Sequence, residues 1–386
     1  MKSKLSKGVR FLREGVKKLG TYSASMTCGV KSYPFFGVPR GLTEGTGKGE
    51  GVKHLLYART PLRIQAPKTV EPDYIQGIKG ILAGFDLAEE GVLVLNGGTA
   101  TNRGGNLNVK GQLVTTFLQP IDGKLPHEND LFRFSTKNFF PRIYRADYPV
   151  VTLAAGWQGA FYHWVFEVLP RLHLVERAGY SAHPIYVEST FPFQKESLEL
   201  MGITPDKMLN AKHYAAVRAP QLIIPSIPLI PTEWSCGYLR EKILPTLTKK
   251  PPLRLYVSRN DASRRRILNE GEIFALLQKH GFQKVQLSRL SFKEQAELFY
   301  SAEVVVAPHG AGLSHLVFCA PKTPVLEIFS PAYFHPCYWH VCDRIGLSYH
   351  YFLGEGESPE KIQGHQDPDI FVDSSKLAAS LKLMEL

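Results

Sequence analysis

The stretch EVVVAPHGAGLSHLVFCAPKTPVLEI, residues 303–328, decides the fold that the sequence predicts. Its β-branched and apolar run at residues 304–307 is typical of a buried strand. A glycine-rich turn then leads into a helical stretch at residues 313–319, and a second strand follows at residues 324–329. Strand, turn, helix and strand in this order indicate an α/β fold with a parallel sheet.

The turn of this stretch has the composition of a phosphate site. Ligands of open parallel sheets bind beyond the carboxyl ends of the strands, where the next helix presents free backbone N–H groups. The helix dipole favours an anion there, and glycine lets a phosphate approach the backbone closely. We therefore predict that His309, Gly310, Ala311 and Gly312 lie at the phosphates of a nucleotide. A carboxylate at the end of the next strand can hold the two hydroxyls of a ribose, and we expect this of Glu327.

A cluster of arginines favours the same site. The segment YVSRNDASRRR, residues 256–266, follows a predicted strand at residues 253–258 and contains Arg259, Arg264 and Arg265. Parallel strands end at one edge of a sheet, so the cluster is expected beside the glycine-rich turn. Guanidinium groups match phosphate oxygens and stay protonated, which suits a diphosphate leaving group held without a metal. The alternative is a solvated basic loop, and the position at a strand end favours a function.

A histidine and a glutamate form a third candidate pair. His163 and Glu167 lie four positions apart, so they share one face of the helix that is predicted over residues 161–178. A histidine beside a carboxylate can serve as a general base with its orienting group. The spacing fits a structural arrangement equally well, in which His163 caps the helix and Glu167 pairs with Arg171.

The composition predicts a soluble protein of two domains. The chain has 386 residues, 44% of them hydrophobic and 21% charged, which is ordinary for globular proteins but long for one core. No apolar run approaches the roughly 20 residues that span a bilayer, and no secretory signal is recognisable. The five cysteines are scattered and odd in number, which favours free thiols in a reducing compartment. We expect a cytoplasmic protein.

The net charge of +11 is concentrated at the amino end. Residues 1–20 carry seven basic side chains against one acid, and their apolar residues recur at steps of four and three. Such a stripe predicts an amphipathic helix, and its basic face suits an anionic lipid surface at the inner face of a membrane. The same stripe fits a terminal helix that packs on the protein body.

Other patterns are interpreted as structural. Asp367-Pro368-Asp369 has the spacing of a metal-binding pair of aspartates, but it follows a polar loop, and proline favours a plain turn. The histidines and cysteines between His335 and Cys342 fit no common zinc spacing. The chain shows no nucleic-acid recognition motif. We expect no bound metal and no nucleic-acid partner. Two capping boxes are expected, Asn269 with Glu272 and Ser291 with Glu294.

Taken together, these blocks resemble glycosyltransferase family sixty-one, which includes bacterial capsular-polysaccharide enzymes and eukaryotic xylosyl- and N-acetylglucosaminyltransferases. The resemblance extends over residues 145–350. It is carried by HWVFEVLPRL (163–172), YVSRNDASRRRILNE (256–270), EQAELFYSAEVVVAPHGAGLSHLVF (294–318) and VLEIF (325–329). The family implies a GT-B-like fold of two Rossmann-like domains facing a cleft, inversion at the sugar carbon, and activity that needs no bound metal.

The family also implies a role for each candidate residue. The residues that would hold the donor are Arg259, Arg264, Arg265, His309, Gly310, Ala311, Gly312 and Glu327. His163 and Glu167, in the facing domain, are the candidates for the base that deprotonates the acceptor, with His163 first. The donor would be a nucleotide sugar, with a UDP-sugar favoured and no further cofactor. The acceptor would be a glycan or polysaccharide of the capsule or exopolysaccharide type, lipid-linked in some systems.

The predicted organisation follows from a proline-rich stretch at residues 219–252, which is interpreted as a linker. Beyond it, strands alternate with helices, as in a doubly wound parallel sheet. The predicted units are a basic helix (1–20), an N-terminal acceptor-side α/β domain (21–220), a linker (221–252), a C-terminal nucleotide-sugar-binding α/β domain (253–355) and a tail with a helix (356–386). Two alternative functions remain: a polysaccharide-modifying transferase with a pyruvyl or phosphosugar donor, and a non-catalytic scaffold at a membrane surface.

Overall fold

The computed structural model of the protein describes residues 42–74, 76–116, 142–228, 230–356 and 368–386. The amphipathic helix predicted at residues 1–20 lies outside these described residues. The strands, in chain order, are β1 (Leu42–Thr43), β2 (Gly51–Tyr57), β3 (Thr60–Pro61), β4 (Lys68–Thr69), β5 (Asp86–Leu87), β6 (Glu90–Thr101), β7 (Asn106–Asn108), β8 (Leu113–Val114), β9 (Ile143–Arg145), β10 (Val150–Thr152), β11 (Ile185–Val187), β12 (Met208–Asn210), β13 (Ala216–Pro225), β14 (Leu253–Val257), β15 (Phe282–Val285), β16 (Ala302–Pro308), β17 (Pro324–Phe329) and β18 (Ser348–Leu353).

These strands form a ten-stranded sheet, a six-stranded sheet and the two-stranded sheet of β3 and β5, and helices pack on the two larger sheets. The α-helices are α1 (Gln76–Leu82), α2 (Phe161–His163), α3 (Arg171–Arg177), α4 (Pro192–Leu200), α5 (Glu233–Ile243), α6 (Glu270–Lys279), α7 (Phe292–Tyr300), α8 (Cys337–Ile345) and α9 (Ser374–Leu383). A π-turn, Trp164–Val168, joins α2 towards α3. Short 3-10 helices are formed by Pro205–Lys207, Leu244–Thr246, Leu287–Arg289 and Ala311–Phe318.

The six-stranded sheet, called the second sheet because most of its strands come later in the chain, is the doubly wound parallel sheet that the sequence predicts. Its six strands follow the order β15-β14-β16-β17-β18-β4, and all pairs are parallel. Counted from β14, the first five strands run 2-1-3-4-5, so the winding reverses between β14 and β16. Such a reversal opens a crevice at the carboxyl ends of the two strands.

The central strands of this sheet are apolar throughout because both faces are covered. Along β16, Val304 and Val306 pack into a core with α6 and α9. Val305 and Ala307 point to the other face and join the large core that includes α7. The continuous apolar run at residues 304–307 therefore reflects two cores, one on each side of the strand.

The first sheet is mixed and has ten strands. Its main path is β1-β8-β7-β6-β13-β10-β11-β12, while β2 pairs with β6 and β9 pairs with β13. The long strands β6 and β13 are antiparallel, whereas β9 and β10 lie parallel to β13. The α/β class is therefore confirmed, with parallel strands on one side of the first sheet and throughout the second.

The predicted linker at residues 221–252 connects the last strand of the first sheet to β14, and it contains regular structure. Its first residues complete β13 in the middle of the first sheet, and α5 follows. Pro220 is tolerated inside β13 because the strand changes partner there. β9 pairs with Ala216–Arg218 and β10 pairs with Leu222–Ile223, so no neighbour needs an N–H at Pro220.

The predicted unit boundaries also differ from the structure at both ends of the second sheet. β4 comes from the first part of the chain and pairs with β18 as the edge strand. Helix α9 packs against α6 through Leu377 and Leu381, so the predicted tail is part of this core. Its N-cap is Asp373.

Of the two expected capping boxes, one is confirmed. Ser291 accepts from the backbone of Glu294, whose side chain accepts in return from Ser291 N–H. Asn269 forms no such cap, because its backbone is not in the extended conformation that a capping side chain requires. Its amide instead exchanges two hydrogen bonds with the backbone of Val372 and thereby fixes the segment before α9.

The helix predicted over residues 161–178 is interrupted by the π-turn. Pro170 has no N–H to continue an α-helical ladder, and Leu169 N–H instead donates to Trp164 C=O at 3.0 Å. Arg171 follows and is buried. It does not pair with Glu167. Its guanidinium donates to the carbonyl groups of Leu153, Thr152 and Pro225 at 2.8, 3.0 and 2.9 Å.

These three carbonyl groups lie at the carboxyl ends of β10 and β13, so Arg171 ties the two strands together beneath the helix. Burial lowers the pKa of Arg171 to about 9, and the side chain remains a donor at neutral pH. The buried cation thus orients the segment that carries His163.

A cavity of about 570 Å³ lies between the first sheet, α5 and the end of α8. Tyr57, Arg63, Trp234 and Arg344 line it together with Glu90. The Glu90 carboxylate is 6% exposed and accepts from the Trp234 indole N–H at 2.6 Å. Burial raises the pKa of Glu90 to about 7, so this carboxyl group is protonated well above its ordinary range.

The raised pKa predicts that Glu90 makes the folded protein less stable as the pH rises. The folded state binds the proton more tightly than the unfolded state, so the contribution is complete below pH 4.5 and lost as the pH passes 7. Between pH 5 and 8 the wild type should lose about 2 kcal/mol of unfolding free energy relative to Glu90→Gln, which cannot titrate. Urea unfolding at both pH values measures this difference. An equal pH dependence in the two proteins would contradict it.

Candidate functional site

The crevice of the second sheet holds a cavity of about 150 Å³ between the carboxyl ends of β14 and β16. Arg259, from the predicted arginine cluster, lines it together with Gly310 and Gly312 from the glycine-rich turn. Asp261 and Ser288 complete its polar side. The structure therefore brings two of the three predicted blocks together at the reversal of the sheet, where open α/β sheets bind ligands.

Close packing explains the glycine at position 310. A Cβ atom there would lie 1.9 Å from Arg259 Nη1, so any other residue would displace the guanidinium. A Cβ atom at Gly312 would lie 2.5 Å from Leu287 Cδ1. The 3-10 helix Ala311–Phe318 begins at this turn, and the first N–H groups of a helix have no partner within the helix. A guanidinium and a helix start thus share one cavity, which suits an anion.

The beginning of the arginine segment is anchored by Glu270, a residue that sequence reasoning assigned no role. Glu270 is the first residue of α6, and its buried carboxylate accepts hydrogen bonds from Tyr256, Ser258 and Asn260. Lys284 Nζ lies 3.4 Å from the same group. The three donors are spaced two residues apart, so their side chains lie on one side of an extended chain. This spacing was the sequence signal for a shared hydrogen-bond acceptor. Glu270 thereby fixes the backbone on both sides of Arg259.

The end of the segment is anchored by Asp369, from the aspartate pair interpreted as a turn. Its carboxylate accepts from the Arg266 side chain at 3.0 and 2.6 Å and from the Arg266 backbone at 2.9 Å. Asp369 therefore serves an ion pair. Within the described ranges, no three His, Cys, Asp or Glu side chains are grouped to hold a metal ion.

The remaining two arginines of the cluster lie at different depths. Arg265 has a left-handed backbone, with φ of 56°, and its guanidinium stacks 4.6 Å from the centre of the Tyr333 ring. Arg264 is exposed at the rim, and its carbonyl accepts from Arg259 Nη2 at 3.3 Å. The structure thus places Arg259 in the crevice, Arg265 on an aromatic neighbour of His309, and Arg264 at the edge.

His309 lies beside the cavity and is held by two buried groups. Its Nδ1 contacts Glu327, whose other oxygen accepts from the Tyr349 hydroxyl at 2.6 Å. Burial and the Glu327 charge keep the pKa of Tyr349 well above its ordinary value, so the hydroxyl stays a donor. The prediction that Glu327 holds a ribose conflicts with this placement. β17 continues to Phe329, so Glu327 lies inside the strand and is fully buried.

The third predicted block lies outside this crevice. Its His163 and Glu167 contact each other, as the arrangement of a base with its orienting group requires. His163 Nδ1 lies 2.6 Å from Glu167 Oε1, with the histidine side chain 35% exposed and the glutamate 15%. The carboxylate fixes the orientation of the ring through Nδ1, and Nε2 is the nitrogen left for a ligand. Such a pair can accept a proton and stabilise the resulting cation.

A series of ring contacts connects this pair to the crevice. Tyr162, next to His163, packs on Tyr338 with ring centres 5.8 Å apart, and Tyr338 packs on His309 at 5.2 Å. His335 is close enough to both sides to be affected by them: partial desolvation and the charges of His309 and His163 lower its pKa. From the sequence, His335 is considered as a zinc ligand and that role is rejected. Its position in an aromatic-rich segment was the signal for a cleft.

Two further observations concern the described part of the chain. Cys236, Cys319, Cys337 and Cys342 are buried free thiols. None of the helices in these residues combines the length and the apolar character that a membrane crossing requires.

Three known proteins match part of this chain. A β-1,2-xylosyltransferase of Oryza sativa subsp. japonica, RCN11, is 32% identical over an alignment of 135 residues that covers 30% of this chain and 25% of the relative. A β-1,2-xylosyltransferase of Arabidopsis thaliana is 33% identical over 98 residues, 22% and 18% of the two chains. The EGF domain-specific O-linked N-acetylglucosamine transferase of Drosophila melanogaster is 34% identical over 88 residues, 21% and 17%.

The chain thus spans a quarter or less of the length of these curated relatives. The relatives come from plants and an insect, so the capsular type within the family stays a prediction. The family model described as Glycosyltransferase 61 matches residues 161–326, which contain the His163 helix, the arginine cluster and the glycine-rich turn. The resemblance carried by those three blocks is therefore confirmed: residues 161–326 match the model of glycosyltransferase family sixty-one.

Proposed function

We propose that the protein is an inverting glycosyltransferase that moves a sugar from a nucleotide-sugar donor to a glycan acceptor. The observation that carries the proposal is the series of ring contacts that connects Tyr162, next to His163, through Tyr338 to His309 at the crevice. The family relatives support it, because their names record transfer of xylose or N-acetylglucosamine. The first and second sheets then correspond to the two facing halves of a GT-B-like enzyme, with the acceptor on the first and the donor on the second.

The crevice is assigned to the diphosphate of the donor. Its volume of about 150 Å³ is below that of sites for whole drug-sized ligands, so the nucleoside and the sugar extend from it. Arg259 and the N–H groups at the start of the 3-10 helix neutralise the oxygens, and Arg264 adds charge at the rim. Arg265 and His309 lie on the side towards Tyr338 and so towards the transferred sugar. A UDP-sugar is the favoured donor.

The reaction follows from the two sides of the cleft. His163 Nε2 takes the proton of an acceptor hydroxyl, whose oxygen forms a bond to the anomeric carbon of the sugar. The bond from that carbon to the diphosphate oxygen breaks on the opposite face, which inverts the configuration. The electron pair leaves with the diphosphate, where the arginines stabilise the developing charge. Glu167 holds the His163 ring in place and stabilises its cation. The acceptor of the capsule or exopolysaccharide type belongs to this proposal.

The first prediction from this scheme concerns donor binding. A nucleoside diphosphate present at 100 times its Kd should raise the free energy of unfolding by about 2.7 kcal/mol, which is detected as a rise in Tm. Arg259→Ala and Arg264→Ala should weaken this binding by about tenfold or more, since each removes a charge-assisted contact. Gly310→Ala should act likewise, because the added methyl displaces Arg259.

The control for donor binding is Arg145→Ala, which removes an exposed arginine from β9 of the first sheet. Thermal shifts are measured with UDP, GDP and their sugars for all variants. A protein that no nucleotide or nucleotide sugar stabilises would exclude the transferase. Stabilisation by phosphoenolpyruvate alone would favour the pyruvyl-transfer alternative.

The second prediction concerns the base. His163→Ala should lower the rate of sugar transfer or donor hydrolysis by about 10²- to 10⁴-fold while the Kd for UDP stays unchanged. Glu167→Gln should lower the rate by a smaller factor, because the amide still contacts the ring but cannot stabilise its charge. Release of UDP from a set of UDP-sugars measures both.

His213→Ala, at an exposed histidine outside the cleft, serves as the control for these variants. Wild-type turnover in His163→Ala would assign the base to another residue. Equal loss of UDP affinity and turnover would instead place His163 in donor binding.

A further inference from the structure

Trp157 lies in a loop at residues 156–160, between β10 and α2, and its side chain is 62% exposed. The other three tryptophans of the chain are buried or half-buried. The centre of the Trp157 indole lies 6.2 Å from that of the His163 ring, at an interplanar angle of 30°. A large apolar surface is therefore left in water directly beside the proposed base.

The loop is fixed by its neighbour Gln158, which is buried. The Gln158 side chain donates to Asn102 C=O at 3.0 Å and accepts from the backbone of Ala155 at 3.3 Å. Its own carbonyl accepts from the Gln194 amide at 2.9 Å. Since these bonds hold the backbone on both sides of the loop, the outward position of Trp157 is a built feature of the fold.

A second exposed aromatic side chain flanks the same loop. Phe191 is 42% exposed, and a Cβ atom at Gly159 would lie 3.3 Å from its ring. Phe191 stacks on Phe193 at 5.6 Å between ring centres, and Phe193 contacts Phe161 at 5.2 Å, in the helix of His163. Single exposed apolar side chains are common on protein surfaces and need no function. Two exposed aromatic side chains beside the same anchored loop form a cluster, which indicates a binding surface.

We propose that Trp157 and Phe191 form a stacking platform for a sugar residue of the acceptor glycan. The inference rests on the proposed function and names the subsite on the acceptor side. A pyranose ring has an apolar face of C–H groups that packs on an aromatic ring, while its hydroxyls remain in water. The distance between the Trp157 and His163 rings, 6.2 Å between their centres, is about the length of one sugar residue. The residue on the platform is therefore the neighbour of the one whose hydroxyl is deprotonated.

The platform predicts an acceptor of at least two sugar residues, and Trp157 itself reports binding. As the most exposed tryptophan, it dominates the fluorescence that acrylamide quenches. The probes are cellobiose, xylobiose, mannobiose and N,N′-diacetylchitobiose, each with its methyl monosaccharide glycoside and with UDP present. At least one disaccharide should lower the quenching constant saturably by half or more, and its monosaccharide should bind at least tenfold more weakly.

Variants identify the surface. Trp157→Ala should weaken disaccharide binding at least tenfold, measured by calorimetry, with the Tm and the Kd for UDP unchanged, while Trp157→Phe should keep most of the affinity. Val52→Ala, which removes a side chain 56% exposed on β2, should change neither. If UDP stabilises the protein but no disaccharide shields Trp157, the platform is overturned and the transferase stands. Shielding in a protein that no nucleotide stabilises would retain the platform and exclude the transferase.

Discussion

The contact of Phe161 with the buried ring of His315 holds the two sheets at the separation on which the site depends. The ring centres lie 5.1 Å apart, and Phe292 packs on both. Burial lowers the pKa of His315 to about 3, so the ring is neutral over the physiological range and packs as an aromatic group. His163 follows Phe161 by two positions, and Gly312 precedes His315 by three. The proposed base and the crevice are thus placed by one packed interface.

The second sheet and its crevice were predictable because their signals are local. Strands covered on both faces are apolar throughout, so β16 and β17 are recognisable without knowledge of their partners. The turn between β16 and the following helix needs glycine for close packing, and the arginine segment follows its strand directly. The pairing of His163 with Glu167 required only a spacing of four. The predicted helix at residues 313–319 was correct in place, although the structure has a 3-10 helix, Ala311–Phe318.

The first sheet was not predictable because its partners lie far apart in the chain. β6 pairs with β13 across more than a hundred residues, and most of the other strands are two or three residues long. Pro220 suggested a linker because the change of partner that accommodates it is a tertiary feature. Glu327 shows that burial can change an expected role. The strand at residues 324–329 was predicted with its observed bounds, but Glu327 is fully buried within it and supports His309 instead of facing a ligand.

The π-turn Trp164–Val168 adds one residue to the helical path between His163 and Arg171. One residue corresponds to about 100° of rotation around a helix axis, so the turn shifts the phase of everything before it relative to everything after it. Arg171 is fixed beneath the strand ends, and the shift is what directs His163 to the cleft. In a relative with a one-residue gap in this segment, a different side chain would face the acceptor. The length of this turn, together with Glu167 within it, would then determine which side chain acts in the cleft.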